Sequence, residues 1–207
     1  MADITVVSTP RSAAIDAAQD TARQETARQD TARNAAQVSA QSAAEPYFDL
    51  IELLFFAYRD FVGDPDEVLE KLGFGRAHHR VLHFVNRNPG MKVAELLDVL
   101  KITKQSLGRV LKQLIDEGYV AQKAGANDRR QRLLYASAAG EALAMKLVGL
   151  QAARIQRVLA DLGPDSREAA RRFLAGMIDA EDRERVLGLI ARADSFADRG
   201  RSEENAP

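Results

Sequence analysis

The side chains best suited to chemistry in this sequence project from one predicted helix near its centre. Over residues 103–117 the apolar side chains recur as a single stripe, and at about 100° per residue Gln105, Arg109 and Lys112 project from the opposite face. The amide of glutamine pairs with adenine and the guanidinium of arginine pairs with guanine, while lysine neutralises phosphate. This face therefore predicts a helix that reads bases in the major groove of DNA.

A second basic group follows in a predicted β-hairpin. Residues 119–123 and 132–136 have the pattern of two short strands, and the turn over residues 125–130 carries Arg129 and Arg130. An arginine at such a tip can enter the narrow minor groove, where the potential is more negative. Helix, short turn, helix and basic hairpin follow one another along the chain, an order typical of a winged helix-turn-helix.

The distribution of charge supports a polyanionic partner although the chain as a whole is almost neutral. The net charge is -1, from 29 Lys and Arg against 30 Asp and Glu. Residues 74–137, however, carry 12 basic and 5 acidic side chains, a net charge of +7, whereas residues 1–73 carry -7 and residues 138–207 carry -1. All three histidines also lie in the basic segment. A basic segment between acidic or neutral ones is typical of a nucleic-acid-binding module. The alternative interpretation is a surface on which charge is unevenly distributed without any such partner.

Several classes of protein are excluded by what the sequence lacks. With no cysteine, disulfide scaffolds, zinc ribbons, iron–sulfur sites and thiol redox sensors are excluded. The sequence contains no P-loop, nucleophile elbow, dinucleotide fingerprint or zinc-protease motif, so we expect neither an enzyme nor a cofactor. The longest apolar run, residues 53–56, is far shorter than the roughly 18 residues of a membrane span. We therefore expect a cytoplasmic protein that is neither exported nor bound to a membrane.

The helices outside the basic segment have a different predicted purpose. The helix over residues 47–62 is apolar around most of its circumference, so a second subunit is its expected cover. Gly63, Asp64 and Pro65 predict its end, followed by a short acidic connector. Amphipathic helices over residues 138–195 supply further apolar stripes. Both groups of helices are therefore predicted to dimerise.

Composition divides the chain into three parts. Residues 1–45 lack aromatic side chains, and the five-residue repeat over residues 20–33 builds no apolar stripe, which predicts a polar arm that is disordered or loosely helical. Residues 46–197 form the predicted domain, with its winged helix at about 74–137, and residues 198–207 form a polar tail. The predicted fold is mainly α with a small β-hairpin wing.

Two stretches resemble the MarR (multiple antibiotic resistance) family of transcriptional regulators. Residues 96–120 are similar to that family's third and fourth helices and their exit into the wing. Residues 127–140 are similar to its wing signature, in which Asp128 and Arg130 match. Residues 73–80 also resemble the PetP-like branch of the family. The resemblance covers the chain from about the first predicted helix to the last.

Two places depart from the family pattern. Ala136 and Ser137 stand where Leu-Thr is usual, which keeps a hydroxyl group as the N-cap of the next helix. Gly108 replaces the small polar residue often found before the recognition-helix arginine, so no contact is expected at that position.

The resemblance implies a homodimer whose two winged lobes straddle a pseudo-palindromic operator in double-stranded DNA, with half-sites about 10 bp apart. It also implies that Arg130 enters the minor groove, that Asp128 holds the wing, and that Ser106 and Arg109 lie among the contacts of the recognition helix. The complete set of candidate DNA-contacting residues is Thr103, Lys104, Gln105, Ser106, Arg109, Lys112, Asp128, Arg129, Arg130 and Arg132.

The family's effectors bind between the dimer helices and the winged lobe, and Arg76, His78 and His79 are candidates for such a pocket. His79 and His83 are also spaced at i and i+4, as two metal ligands on one helix face would be. Because the chain has no cysteine and the segment is basic, we predict helix packing or a phosphate contact for these histidines and no metal.

An alternative function is a winged-helix dimer that serves as a protein-interaction or scaffold module without specific DNA binding. The basic outer face favours the DNA-binding interpretation, because a module that does not bind DNA has little use for it. The operator, the effector and the sign of regulation are not encoded in any motif of the sequence.

Overall fold

The fold is described from a computed structural model of the chain. The structure describes residues 46–125, 128 and 130–204, and side chains as far as residue 196. The predicted N-terminal arm, residues 1–45, lies outside the described residues.

Seven helices and three short strands make up the described part of the chain. In order they are α1 Phe48–Glu70, α2 Arg76–Arg87, β1 Met91–Lys92, α3 Val93–Leu100, α4 Lys104–Asp116, β2 Val120–Ala124, β3 Arg132–Ala136, α5 Ala138–Leu162, α6 Ser166–Gly176 and α7 Ala180–Glu204. The prediction of a mainly helical fold with a small β-hairpin wing is confirmed.

The chain divides into two compact units, residues 1–55 and 56–207. In the first unit the structure describes residues 46–55, which contain the beginning of α1 and expose large apolar side chains such as Phe48 and Phe55. The second unit contains the rest of α1 and all the later elements.

Helix α1 does not end at Gly63-Asp64-Pro65, so the predicted stop and the connector after it are wrong. The fixed φ of proline is compatible with a helix, and its cost is the missing hydrogen bond to the carbonyl four residues earlier. That carbonyl belongs to Phe61, and it accepts instead from Nε2 of Gln151 at 3.5 Å. Pro65 is also fully buried, so burial stabilises the proline inside the helix.

The hydrophobic core is built from α2, α3, α4 and the sheet together with residues of α1 and α5. Five leucines of α2, α3, α4 and β3 expose 1% of their surface or less, namely Leu82, Leu96, Leu107, Leu114 and Leu134. Two of these residues, Leu107 and Leu114, belong to the apolar stripe of α4, and burying each such side chain contributes about 1.5–3 kcal/mol. Packing this stripe inward forces the polar face of α4 outward.

The three strands form an antiparallel sheet in the order β1-β3-β2. Leu134 is paired with Met91 on one side and with Gln122 on the other. The hairpin of β2 and β3 was predicted, with β2 beginning at Val120 rather than at Tyr119. Strand β1 was not predicted, because two residues are too few to show an alternating pattern.

The last helix extends further than the sequence pattern indicated. A polar tail was predicted from Asp198, but the backbone of α7 remains helical to Glu204. The polar composition indicated a stretch without core residues, yet its arginine and glutamate residues are compatible with continuing the helix.

Candidate nucleic-acid interface

The beginning of α4 is fixed by a turn and a cap of its own. Lys101, in the left-handed conformation with φ 51°, ends α3, and its N–H donates to the carbonyl of Leu97 at 2.9 Å. Thr103 is the N-cap of α4, since its Oγ1 accepts from the N–H of Ser106 at 3.1 Å. The same hydroxyl donates to Oγ of Ser106 at 2.9 Å. The short turn therefore sets the angle between the two helices of the helix-turn-helix.

The outer face of α4 presents side chains that are available to a ligand. The side chains of Lys104, Gln105 and Arg109 are exposed and form no hydrogen bond or ion pair within the described part of the chain. Lys112 is also exposed and pairs with Asp116 one turn later. Such a surface pair contributes little, so Lys112 remains free to exchange its partner for a phosphate.

The tip of the wing is folded around Asp128. Its Oδ1 accepts from the N–H of Arg130 at 2.9 Å, and its carbonyl accepts from the N–H of Gln131 at 3.0 Å. The carbonyl of Gln131 in turn accepts from Gly125 at 3.0 Å. This is a turn closed by an aspartate side chain, and it presents Arg130 and Arg132 as exposed side chains. Arg129 lies outside the described residues.

The base of the wing is joined to the helices on both sides of it by one serine. Oγ of Ser137 donates to the carbonyl of Gly118 at 2.6 Å, just after α4 ends. It also accepts from the N–H of Gly140 at 3.0 Å, which makes it the N-cap of α5, as predicted. Gly118 has φ +79°, the left-handed conformation expected of a helix C′ residue. The position of the wing relative to α4 is therefore fixed.

The three candidate effector residues are separated into two environments. Nε of Arg76 donates to Oδ2 of Asp66 at 2.7 Å. Burial lowers the pKa of His79, and the charge of Asp66 opposes this shift. His78, by contrast, faces Gln113 on α4, with 2.9 Å between Nε2 and Oε1. Asp66 was not among the predicted site residues. Its buried Oδ1 has no hydrogen-bond partner within the part of the chain that the structure describes.

His79 and His83 both lie on the packed side of α2. Burial, together with the nearby charges of His79 and Arg87, lowers the pKa of His83 to about 4. Residues 46–125, 128 and 130–196 contain no group of three or more His, Cys, Asp or Glu side chains placed to hold a metal ion. Within the described helices, none is both long enough and apolar enough to span a membrane.

Three features define a winged helix-turn-helix of the DNA-binding class. They are the capped helix with a free polar face, the hairpin that carries arginines, and the basic segment that contains both. Comparison with known proteins makes this assignment more specific. The MarR family model matches residues 72–131. The HTH-type transcriptional regulator PetP of Rhodobacter capsulatus is 44% identical over 129 residues, covering 62% of this chain and 78% of PetP.

Solved structures show the same fold. The transcriptional regulator SlyA superposes with a TM-score of 0.55 at 20% identity, covering 67% of this chain and 99% of SlyA. NadR in complex with 4-hydroxyphenylacetate superposes with a TM-score of 0.54 at 20% identity, covering 66% of this chain and 94% of NadR.

This chain belongs to the MarR family. It is a DNA-binding transcriptional regulator and not an enzyme, since that is what the family and its named relatives are. The alternative of a scaffold module without specific DNA binding is not favoured. The MarR resemblance predicted from residues 96–120 and 127–140 is confirmed.

Proposed function

We propose that the protein acts as a homodimer, in which α4 of each protomer enters the major groove of a pseudo-palindromic operator and the wing enters the minor groove. The observation that carries this proposal is the free outer face of α4. The N-terminus of this helix is capped by Thr103, and the side chains of Gln105 and Arg109 have no partner within the described residues. Groups held in position but left without partners are suited to bind base edges.

The proposal assigns each candidate residue a task. Gln105 and Arg109 read bases, Ser106 contacts DNA beside them, and Arg130 occupies the minor groove. Asp128 acts indirectly by folding the turn that presents Arg130. The remaining members of the set contact phosphate, namely Thr103, Lys104, Lys112, Arg129 and Arg132.

Dimerisation is supported by apolar surface outside the winged helix. Phe48 and Phe55 of α1 each expose 67% of their surface. Leu162 at the end of α5 exposes 68%, and Phe173 of α6 exposes 56%. Large exposed apolar surfaces mark interaction sites, and a second copy of the chain is the occupant we propose. This assigns residues 47–62 and 138–195 to dimerisation, residues 74–137 to DNA binding and residues 1–45 to a polar arm.

Selection from a random pool of double-stranded DNA tests the function as a whole. We expect the bound sequences to converge on a two-fold symmetric motif whose half-sites lie about 10 bp apart, one helical turn. Affinity for that motif should fall steeply with salt, because several phosphates release their counterions. A pool that does not converge, together with affinity independent of salt, would contradict specific DNA binding.

Matched variants then test the docking. Arg130→Ala should weaken binding across most sequences, whereas Gln105→Ala should relax the preference at one base position, at a cost of about 1–3 kcal/mol. Lys71→Ala is the control, because Lys71 is an exposed basic residue just after α1 and lies outside the segments assigned to DNA binding and dimerisation. If the Arg130 and Gln105 variants bind like the control, the docking is wrong.

The dimer has a separate test by sedimentation. Phe55→Asp should shift the protein towards monomers, because a carboxylate would be placed in an apolar interface. Deletion of residues 1–44 should leave the dimer intact. A monomeric deletion variant, or a dimeric Phe55→Asp variant, would contradict the assignment of the interface.

The proposal includes a small-molecule effector and action in the cytoplasm, where the DNA of such a regulator is found. Arg76 and His79 lie around Asp66 on one side of α2, and an organic acid would compete with Asp66 for the guanidinium of Arg76. A panel of aromatic acids that includes 4-hydroxyphenylacetate, screened by calorimetry, should contain a binder, and Arg76→Gln should weaken its binding. Equal affinity for the variant would place the effector site elsewhere.

A further inference from the structure

A hydrogen-bonded contact joins the beginning of α2 to the side of the recognition helix. Nδ1 of His78 accepts from the backbone N–H of Gly75 at 3.1 Å. Because Nδ1 is an acceptor, a neutral imidazole carries its proton on Nε2, and Nε2 donates to Oε1 of Gln113 at 2.9 Å. The contact therefore requires one tautomer of one histidine.

The orientation of the Gln113 amide agrees with this assignment. Its Nε2 donates to Oε1 of Glu117 at 2.9 Å and faces the carbonyl of Gly73 at 3.4 Å. With the amide flipped, its NH2 group would face the N–H of His78 and its oxygen would face the Glu117 carboxylate. Only one arrangement of His78, Gln113 and Glu117 pairs every donor with an acceptor.

The same turn also contacts the residue where the chain leaves α4 for the wing. The ring of Phe74 is stacked on that of His78, with centroids 4.8 Å apart and planes inclined at 15°. Phe74 also meets Tyr119 edge-on at 5.2 Å, and Phe74 itself is buried. Residues 73–75, in the turn between α1 and α2, therefore contact both α4 and Tyr119, the residue just before β2.

Gln113 lies at a position where it sets the rotation of α4 about its axis. It follows Arg109 by four residues, so the two side chains are neighbours along the helix. The buried stripe of α4 fixes which face points inward, but apolar contacts are not directional. A rotation of about 10° would displace a side-chain tip at a radius of about 6 Å by about 1 Å, enough to spoil a bidentate contact with a base.

We propose that His78 is a positioning residue for base recognition, because its Nε2–H···Oε1 hydrogen bond to Gln113 fixes the rotation of α4 in the major groove. This inference rests on the proposed docking of α4. His78 thereby links the turn between α1 and α2 to α4, and so holds Arg109 and Gln105 in place.

Two substitutions at His78 separate this role from simple packing. His78→Gln retains a side chain that can accept from Gly75 and donate to Gln113, since glutamine is a usual partner of the N-cap at this helix position. His78→Leu fills the space against Phe74 without either hydrogen bond. The readout is the ratio of affinity for the selected operator to affinity for random DNA, with unfolding measured in parallel.

We expect His78→Leu to lower this specificity ratio about fivefold, the effect of one hydrogen bond of about 1 kcal/mol, while affinity for random DNA is unchanged. His78→Gln should restore the ratio to within about twofold of the parent. Gln113→Leu should lower it as His78→Leu does, and the double variant should be no worse than either single variant. An unchanged ratio in His78→Leu, or additive losses in the double variant, would overturn the proposal.

Nuclear magnetic resonance of the unsubstituted protein tests the contact even if a variant fails to fold. The nitrogen signals of the His78 ring should report the Nε2–H tautomer, with a slowly exchanging proton. The Nδ1–H tautomer would overturn the proposal. If the parent selects no operator while the tautomer is as expected, the proposed docking fails instead, so the two failures are distinguishable.

Discussion

A Cβ atom added to Gly140 would lie 2.0 Å from the carbonyl oxygen of Tyr119. The first turn of α5 thus approaches the beginning of the wing as closely as a backbone without a side chain allows. The carbonyl belongs to the backbone and cannot swing away. We predict that Gly140→Ala lowers the free energy of unfolding by about 3 kcal/mol, measured by urea denaturation at fixed protein concentration.

The control for this substitution lies in the same helix. A Cβ atom added to Gly149 would have no described residue within 4 Å, and Gly149 is exposed. Gly149→Ala should therefore stabilise the protein by up to about 1 kcal/mol through helix propensity alone. Similar losses at both positions would show that the close approach at Gly140 is not the cause.

Gly108 offers a substitution that should separate stability from DNA binding. It lies in the middle of α4 and is exposed, and no atom of the described residues lies within 4 Å of the place of a Cβ atom. Gly108→Ala should raise the free energy of unfolding by about 1 kcal/mol. Because position 108 lies between Gln105 and Lys112 on the outer face, the added methyl should also weaken operator binding. If affinity is unchanged in a fluorescence titration while stability rises, this part of α4 does not closely approach DNA.

The turn at the wing tip is tested by two substitutions of Asp128. Both Asp128→Asn and Asp128→Ala remove one negative charge, so the electrostatic gain in DNA affinity should be the same for the two variants. Only asparagine can still accept the N–H of Arg130. We expect the alanine variant to bind operator about fivefold more weakly than the asparagine variant. Equal affinities would show that the side-chain contact does not hold the wing.

Acid should destabilise the protein through His79 and His83, which are buried and half-buried respectively. An unfolded histidine takes up a proton near pH 6.5, whereas burial and neighbouring charges hold the pKa of His83 at about 4 in the folded protein. The unfolded state therefore binds more protons between these values, so stability is complete above about pH 6.5 and falls as the pH drops towards 4.

The expected slope from His83 is at most about 1.4 kcal/mol per pH unit, and His79, whose pKa is also lowered, adds in the same direction. His83→Leu should reduce this slope when unfolding free energies are compared between pH 7.5 and 4.5. A variant with the slope of the parent would show that His83 is not buried as a neutral imidazole.

The elements that contact DNA could be predicted because their signals are local. Thr103 caps a helix whose stripe repeats at 3.6 residues, and Gly118 ends it, so the structure confirms both boundaries to within about a residue. The alternating pattern and the glycine of the wing likewise indicate a hairpin without reference to the rest of the chain.

What could not be predicted depends on residues far apart in the sequence. His78 and Gln113 are separated by 35 positions along the sequence, so no helical spacing reveals the contact between them. Asp66 was assigned to a connector because Pro65 was expected to end the helix, yet it lies inside α1 beside Arg76. In each case the observed structure depends on a contact with a residue far away in the sequence, which local sequence patterns do not indicate.

The helical Pro65 has a consequence for how relatives of this chain should vary. The proline leaves the Phe61 carbonyl without its usual donor, and the amide of Gln151 supplies one from another helix. A relative with any other residue at position 65 regains the N–H, and selection on position 151 is then relaxed. We expect the two positions to covary, with glutamine or another donor at 151 retained where 65 is proline. Evolutionary coupling between these two positions would thus record a single missing backbone hydrogen.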